Sequence, residues 1–230
     1  QSFREVGLQP GDIVNVHSRL HSIGLVRGVT VPEIPQAFLS ALIEVIGDDG
    51  TVVVPTFTTS FGRYGTPFVL EDSPSEMGVF SEHVRKSPGA LRTLHPIQSL
   101  SALGGQAQAL TENHPTWNVG HDTIWERRLN REAKVLTIGI PLRRAMSFVH
   151  HMEFLACVPY LYHKLLSGDV FAGGDRVSCE FQLAARYLQF EIAYDLSRLE
   201  VDLEEAGVVE KAPLGGNSIW AVPMKAAFEV

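Results

Sequence analysis

The sequence predicts an α/β fold: a layered α/β/α sandwich around a mixed, partly parallel sheet. Three observations lead there. Short apolar runs at Ile13–Val16, Thr51–Val54 and Lys134–Ile140 read as buried strands. A helical stripe of Ile34, Phe38, Leu39, Leu42, Ile43 and Ile46 lies between the first two runs. The joins are short, and strand–helix–strand with short joins implies a crossover between parallel strands.

Each element has its own signal. Gly11-Asp12 leads into the first strand, which ends at His17. Pro32 near the start of the helical stripe and Gly47 just past its end are the expected punctuation of a helix. Asp49-Gly50 is a turn before the second strand. Residues 58–74, rich in Gly, Pro, Ser and Thr, read as a long loop of the kind that is functional or mobile in compact domains. Helical patterning returns over Met77–Lys86, and Ser99–Leu103 reads as a further strand. Weaker helical signals cover Gln106–Glu112 and Ile124–Asn130. Beyond Pro159, alternating runs at Val177–Leu183 and Ile219–Val222 flank a helix between Ile192 and Ala206, stopped by Gly207. The expectation is one domain over residues 1–230, with an irregular C-terminal third from about residue 159.

Composition narrows the function. The chain has 230 residues, 45% hydrophobic and 20% charged, as in an ordinary globular protein. A net charge of -7 without a basic stripe argues against nucleic-acid binding. No apolar run approaches a membrane span, and the start lacks the layout of a signal peptide. The two cysteines, Cys157 and Cys179, do not form a disulfide framework. A cytoplasmic protein, monomeric or homodimeric, that binds neither membrane nor nucleic acid is the expectation.

The stretch Ser147-Phe148-Val149-His150-His151-Met152-Glu153 is the strongest chemical signal. A helix starting at Ser147 sets His150 and Glu153 three residues apart on one face. A histidine steadied by a carboxylate suits proton transfer at neutral pH. Taken alone, the pair also reads as a half-buried histidine held by a salt bridge. His151 turns a further 100° around the helix and is expected to pack away from that face. No second cluster at ligand spacing supports a metal. Cys157, four residues after Glu153, is a thiol within reach of the same face, and equally a small hydrophobe. His95 is held by the extended backbone that Pro96 demands. Polar residues from His17 to Gly24 leave the first strand where α/β folds gather ligands. No Gly-x-Gly-x-x-Gly or P-loop is present.

In order, the chain carries Val16-His17-Ser18-x-Leu20…Gly24 and Gly50-Thr51-x-Val53-x-Pro55-Thr56-Phe57-Thr58. Ser73-Pro74-Ser75-x-Met77-Gly78…Glu82-x-x-Arg85…Pro88-Gly89-Ala90-x-Arg92 follows, then His95-Pro96-x-x-Ser99-x-x-Ala102-x-Gly104. Lys134-Val135-Leu136…Gly139 and His150-x-x-Glu153 close the series. Together these segments resemble the aminoglycoside 3-N-acetyltransferase family of coenzyme A-dependent enzymes, closely over about Leu8–Pro159 and loosely beyond.

The resemblance implies transfer of an acetyl or other short acyl group from acetyl-CoA or another acyl-CoA to a primary amine. It implies His150 as the base, Glu153 as its orienting carboxylate, and His95 near the acyl group or shaping the site. Ser147 stands where the family usually has threonine. His17, Ser18, Arg19, Leu20 and Ser22, with Thr56, Thr58 and Ser99, are the implied lining of the CoA channel, and Ser18 or Ser99 the hydroxyls available to the oxyanion. Phe57 and Tyr64 are candidates for the acceptor side, although core packing explains such aromatics equally well. After Gly139 the family tends to carry an acidic residue, whereas this chain has Arg143-Arg144, which suit an anionic substrate group or simply a solvated turn. The acceptor is therefore expected among amino sugars, aminoglycosides included. Competing readings are a homologue that binds CoA without catalysis, and an amide hydrolase dependent on a metal or on a cysteine.

Overall fold

The computed structural model describes residues 1–177 and 180–230. Twelve strands are found among them: β1 (Ile13–Ser18), β2 (Thr51–Pro55), β3 (Phe68–Val69), β4 (Leu91–Arg92), β5 (Leu100–Gly104), β6 (Lys134–Ile138), β7 (Leu161–Leu166), β8 (Val170–Ala172), β9 (Asp175–Arg176), β10 (Phe181–Arg186), β11 (Glu210–Leu214) and β12 (Asn217–Pro223). Seven form the main sheet in the order β11-β12-β6-β1-β2-β5-β4. The three central strands are parallel, with β1 in register against β2 (Ile13↔Thr51) and against β6 (Val14↔Lys134 to Ser18↔Ile138). The outer pairings are antiparallel, so the sheet is mixed, as the sequence predicts.

The helix Ile34–Ile46 makes the connection from β1 to β2. Its buried stripe, from Ile34 and Phe38 through Leu42 to Ile46, packs on Val14, Val16, Val52 and Val54. Thr30 and Glu33 cap its approach with a reciprocal pair of hydrogen bonds, and Gly47 at φ 70° ends it. Leu42 is fully buried, and truncating such a leucine to alanine costs about 2–5 kcal/mol. Alternation along β1 sends Ile13, Asn15 and His17 to the opposite face. That face packs against Trp125, Leu142, Phe148 and Trp220, and the polar chemistry of the molecule lies on this side.

Two departures from the sequence reading have a physical cause. Within the loop expected over residues 58–74 there is a helix, Thr59–Tyr64. Glu76, far along the chain, accepts the backbone N–H groups of Thr59 and Ser60 at 3.0 Å each, and Phe61 joins Phe68, Val170 and Phe181 in a small third core. The C-terminal third is less irregular than expected. It supplies the β7–β10 antiparallel ribbon, the β8–β9 pair that extends β3, and the β11–β12 hairpin that completes one edge of the main sheet. Of the run expected over residues 177–183, Phe181–Leu183 lies in β10, and Ser178 and Cys179 lie outside the described residues. Among the described residues no helix is long and apolar enough to cross a membrane.

Candidate active site

Leaving β6, the chain turns at Gly139 and runs through a short 3-10 turn, Leu142–Arg144, into the helix Val149–Leu155. Gly139 has φ 71°, and a Cβ there would lie 2.8 Å from the Arg19 carbonyl and closer still to the Ser22 hydroxyl. The turn is therefore pressed directly onto the segment that follows β1. This brings the helix to the C-terminal ends of the parallel strands, where open α/β sheets bind ligands.

On that helix His150 Nδ1 lies 3.0 Å from Glu153 Oε2. Glu153 is buried, at 7% exposure, yet its carboxylate is fully engaged. Tyr160 Oη donates to Oε1 at 2.7 Å and Tyr194 Oη donates to Oε2 at 3.1 Å. Burial works to raise the Glu153 carboxyl, but the hydrogen bonds from His150, Tyr160 and Tyr194 outweigh it and hold it below the usual range. Burial and the same carboxylate push Tyr194 up to about 12 and Tyr160 higher, so both stay protonated donors. An ionised carboxylate only accepts, so Nδ1 of His150 carries the hydrogen. In the neutral ring Nε2 then holds the lone pair. The side chain is 35% exposed, and its ring meets Tyr194 edge to face at 5.2 Å. This arrangement can take up a proton at Nε2 and stabilise the resulting cation.

His17 joins the end of β1 to the same helix. Its Nε2 lies 3.0 Å from Asn15 Nδ2 and 3.3 Å from Ser147 Oγ. Burial and the nearby Arg128 push it down to about 3, so it stays neutral and accepts at Nε2. The helix begins at Val149 and not at Ser147 as expected, and Ser147 lies in the turn just before it, three residues ahead of His150, so β1 and the start of the His/Glu helix meet at one place. His151 is buried at 2% exposure, with Nδ1 accepting the Gly120 N–H at 3.1 Å, so it packs away from His150 as expected.

The other sequence candidates divide. Ser18 is half-buried and Arg19 exposed at the end of β1, while Leu20 packs in the core. Ser22 Oγ lies 2.6 Å from the Gly139 carbonyl, tying the two turns together. Thr56, Thr58 and Ser99 are buried around a different residue, Arg92. Its guanidinium donates to Ser99 Oγ (3.0 Å), Thr58 Oγ1 (3.0 Å), the Ser73 carbonyl (2.6 Å) and the Thr56 carbonyl. The Ser99 hydroxyl donates to the Thr56 carbonyl at 2.8 Å. These hydroxyls belong to a hydrogen-bonded network around the Arg92 guanidinium. His95 is fully buried with both ring nitrogens engaged: Nε2 donates to the Gln182 carbonyl (3.1 Å) and Nδ1 accepts the Gln98 N–H (3.0 Å). Burial pushes it down to about 4, so it remains neutral and pins β10 to the loop before β5. The backbone N–H and guanidinium of Arg143 bind the Glu200 carboxylate on the helix Ser197–Glu205, whereas Arg144 is exposed. Phe57 is half-buried against the core and Tyr64 is 80% exposed. Cys157 is exposed and lines, with Glu153, Phe154 and Tyr162, an apolar cleft of about 450 Å³.

Sequence reasoning missed the two tyrosines. Tyr160 follows Pro159 at the helix exit, seven residues after Glu153, and its nearness was the one available signal. Tyr194 arrives from 41 residues away, and nothing local points to it.

The model of the aminoglycoside 3-N-acetyltransferase family matches residues 16–230. Aminoglycoside N(3)-acetyltransferase VII of Streptomyces paromomycinus is 32% identical over 192 residues, which cover 75% of this chain and 64% of that protein. Aminoglycoside N(3)-acetyltransferase IX of Micromonospora chalcea is 30% identical over 200 residues, covering 77% of this chain and 68% of that one. The chain thus spans about two-thirds of the length of these relatives. Among solved structures, the aminoglycoside acetyltransferase AAC(3)-Xa superposes with a TM-score of 0.83 at 27% identity, over 99% of this chain and 87% of its own. AAC-IIIb, solved as a binary complex with CoASH, shares the fold with a TM-score of 0.83 at 22% identity, over 99% of this chain and 91% of its own. By the family match and these relatives, the chain belongs to the aminoglycoside 3-N-acetyltransferase family.

Proposed function

We propose that this protein is an N-acyltransferase that moves an acetyl or other short acyl group from acyl-CoA to a primary amine of an amino sugar or aminoglycoside. The observation that carries the reading is the His150–Glu153 contact at 3.0 Å, with both carboxylate oxygens held by tyrosines and the imidazole side chain 35% exposed. Membership of the family supports the reaction class. CoA, when bound, supplies an activated thioester carbonyl and a good leaving thiolate.

His150 Nε2 takes a proton from the amine as nitrogen attacks the thioester carbonyl. Glu153 fixes the tautomer and stabilises the imidazolium, and Tyr160 and Tyr194 hold Glu153. The C–N bond forms, the C–S bond breaks, and the proton held on His150 returns to solvent or to the departing thiolate. Transfer is direct, within a ternary complex. The segment Ser18–Ser22 fits a CoA channel, since a half-buried hydroxyl and an exposed guanidinium stand side by side at the strand end. His95 acts as a positioning residue for the fold, because neither ring nitrogen is available for proton transfer.

Incubation with acetyl-CoA and a panel of aminoglycosides and nucleotide-linked amino sugars, with release of free thiol followed, tests the reading. Amine-dependent thiol release supports it. Hydrolysis of acyl-CoA without amine, or activity abolished by alkylating Cys157 or by chelators, would favour the hydrolase alternative.

A further inference from the structure

On the face of the sheet that carries the site, the core contains an isolated cation. Arg128, on the helix Ile124–Leu129, has no solvent exposure. Its Nε donates to the Ile124 carbonyl at 3.1 Å and its guanidinium lies over the Trp125 ring at 4.5 Å. Both terminal nitrogens, Nη1 and Nη2, lack a hydrogen-bond partner among the described residues, and no carboxylate there forms an ion pair with it. Burial pushes the group down only to about 9, so it is charged at neutral pH. A buried charge with neither counter-ion nor full hydrogen bonding is strongly destabilising.

The neighbouring groups are unpartnered in one sense. His151 and His17 both feel the charge of Arg128. Nδ1 of His151 accepts the Gly120 N–H, so in the neutral ring Nε2 is a donor, and it has no partner among the described residues. Among the described residues Thr137, in register beside His17 on β6, has an unpartnered hydroxyl, and Trp125 Nε1 is an unpartnered donor. Among these atoms only Asn15 Oδ1 is an obligatory acceptor. A set intended for water would balance donors and acceptors. Here the unpartnered donors (two guanidinium nitrogens, an imidazole N–H and an indole N–H) outnumber the one obligatory acceptor, all on residues with 2% exposure or less, where a large acid has no route in.

We propose that the region bounded by Arg128, His151, Thr137 and Asn15 is an internal binding site for a small monatomic anion of the halide class, which neutralises the guanidinium and ties the helices that carry Arg128 and His151 to β1 and β6. The site is separate from the transfer chemistry, and occupancy stabilises the fold that holds His17 against Ser147.

Thermal unfolding in sodium chloride and in sodium gluconate at matched ionic strength tests this. Chloride raises Tm above gluconate by about 3–6 °C for each tenfold increase beyond its Kd. Arg128→Met removes that difference. Should that variant fail to fold, crystals of the unaltered protein soaked in bromide decide the matter, with an anomalous peak within hydrogen-bond distance of the Arg128 Nη atoms expected. Identical melting in the two salts, or a bromide-soaked crystal with water alone beside Arg128, overturns the proposal.

Discussion

Tyr194 Oη and His150 Nδ1 share one oxygen of Glu153, at 3.1 and 3.0 Å, and their rings meet edge to face at 5.2 Å. The carboxylate thus has its orientation set from two directions. Replacing Tyr194 by Phe keeps the ring contact and removes one charge-assisted donor, an interaction worth about 1.5–3 kcal/mol. The expected loss in kcat is about 10–100-fold with little change in KM for acyl-CoA. Because that hydrogen bond helps hold Glu153 low, its loss also moves the acid limb of the pH profile upward. An unchanged limb and unchanged kcat would show that Tyr194 does not orient the pair.

Glu153→Gln keeps the shape and removes the charge. The amide can present its NH₂ to Nδ1, which then accepts and leaves Nε2 protonated, the wrong tautomer for a base. Turnover is expected to fall about 10²–10⁴-fold, with thermal stability much less affected. Steady-state kinetics on a competent amine, beside a melting curve, checks this.

Folding stability should decline on mild acidification. His95 titrates near 6.5 when unfolded but is pushed down to about 4 in the fold, by burial above all. Between those values the unfolded chain binds a proton that the native state refuses. Stability from this residue is therefore complete above about pH 6.5 and falls by about 1.4 kcal/mol per pH unit as pH drops toward 4. His114 and His151, also lowered to about 4 mainly by burial, act in the same direction. Urea midpoints at pH 7 and pH 5 test this. Equal midpoints would mean that these rings are hydrated in the native state.

Gly139→Ala should destabilise the protein, by about 2–4 kcal/mol. The residue is left-handed at φ 71°, and an added methyl meets the Arg19 carbonyl and the Ser22 hydroxyl. Because this turn seats the His/Glu helix against β1, activity should fall along with the urea midpoint. A midpoint equal to that of the unaltered protein would rule out the close approach.

Much of this was legible in the sequence because it is local. The strands β1, β2 and β6 and the helix Ile34–Ile46 announce themselves by apolar period and by punctuation such as Gly47. The His150–Glu153 contact needs only one helical turn. What escaped depends on distance along the chain. Glu76 caps the helix Thr59–Tyr64 from 17 positions beyond Thr59, and Tyr194 reaches Glu153 across 41. The Glu200 carboxylate that pairs with Arg143 comes from 57 positions further along the chain. No sequence pattern reveals that Arg92 is half-buried among Thr56, Thr58 and Ser99 and takes them as acceptors. Polar residues betray their type in a sequence, and only the fold decides which partner takes them.

The most direct measurement is turnover of the His150→Ala variant on an amine that the unaltered protein acylates, with acyl-CoA binding followed by calorimetry in parallel. Loss of about 10²–10⁴-fold in kcat with binding retained is the expected result. A variant that binds and turns over like the unaltered protein would contradict the assignment of His150 as the base.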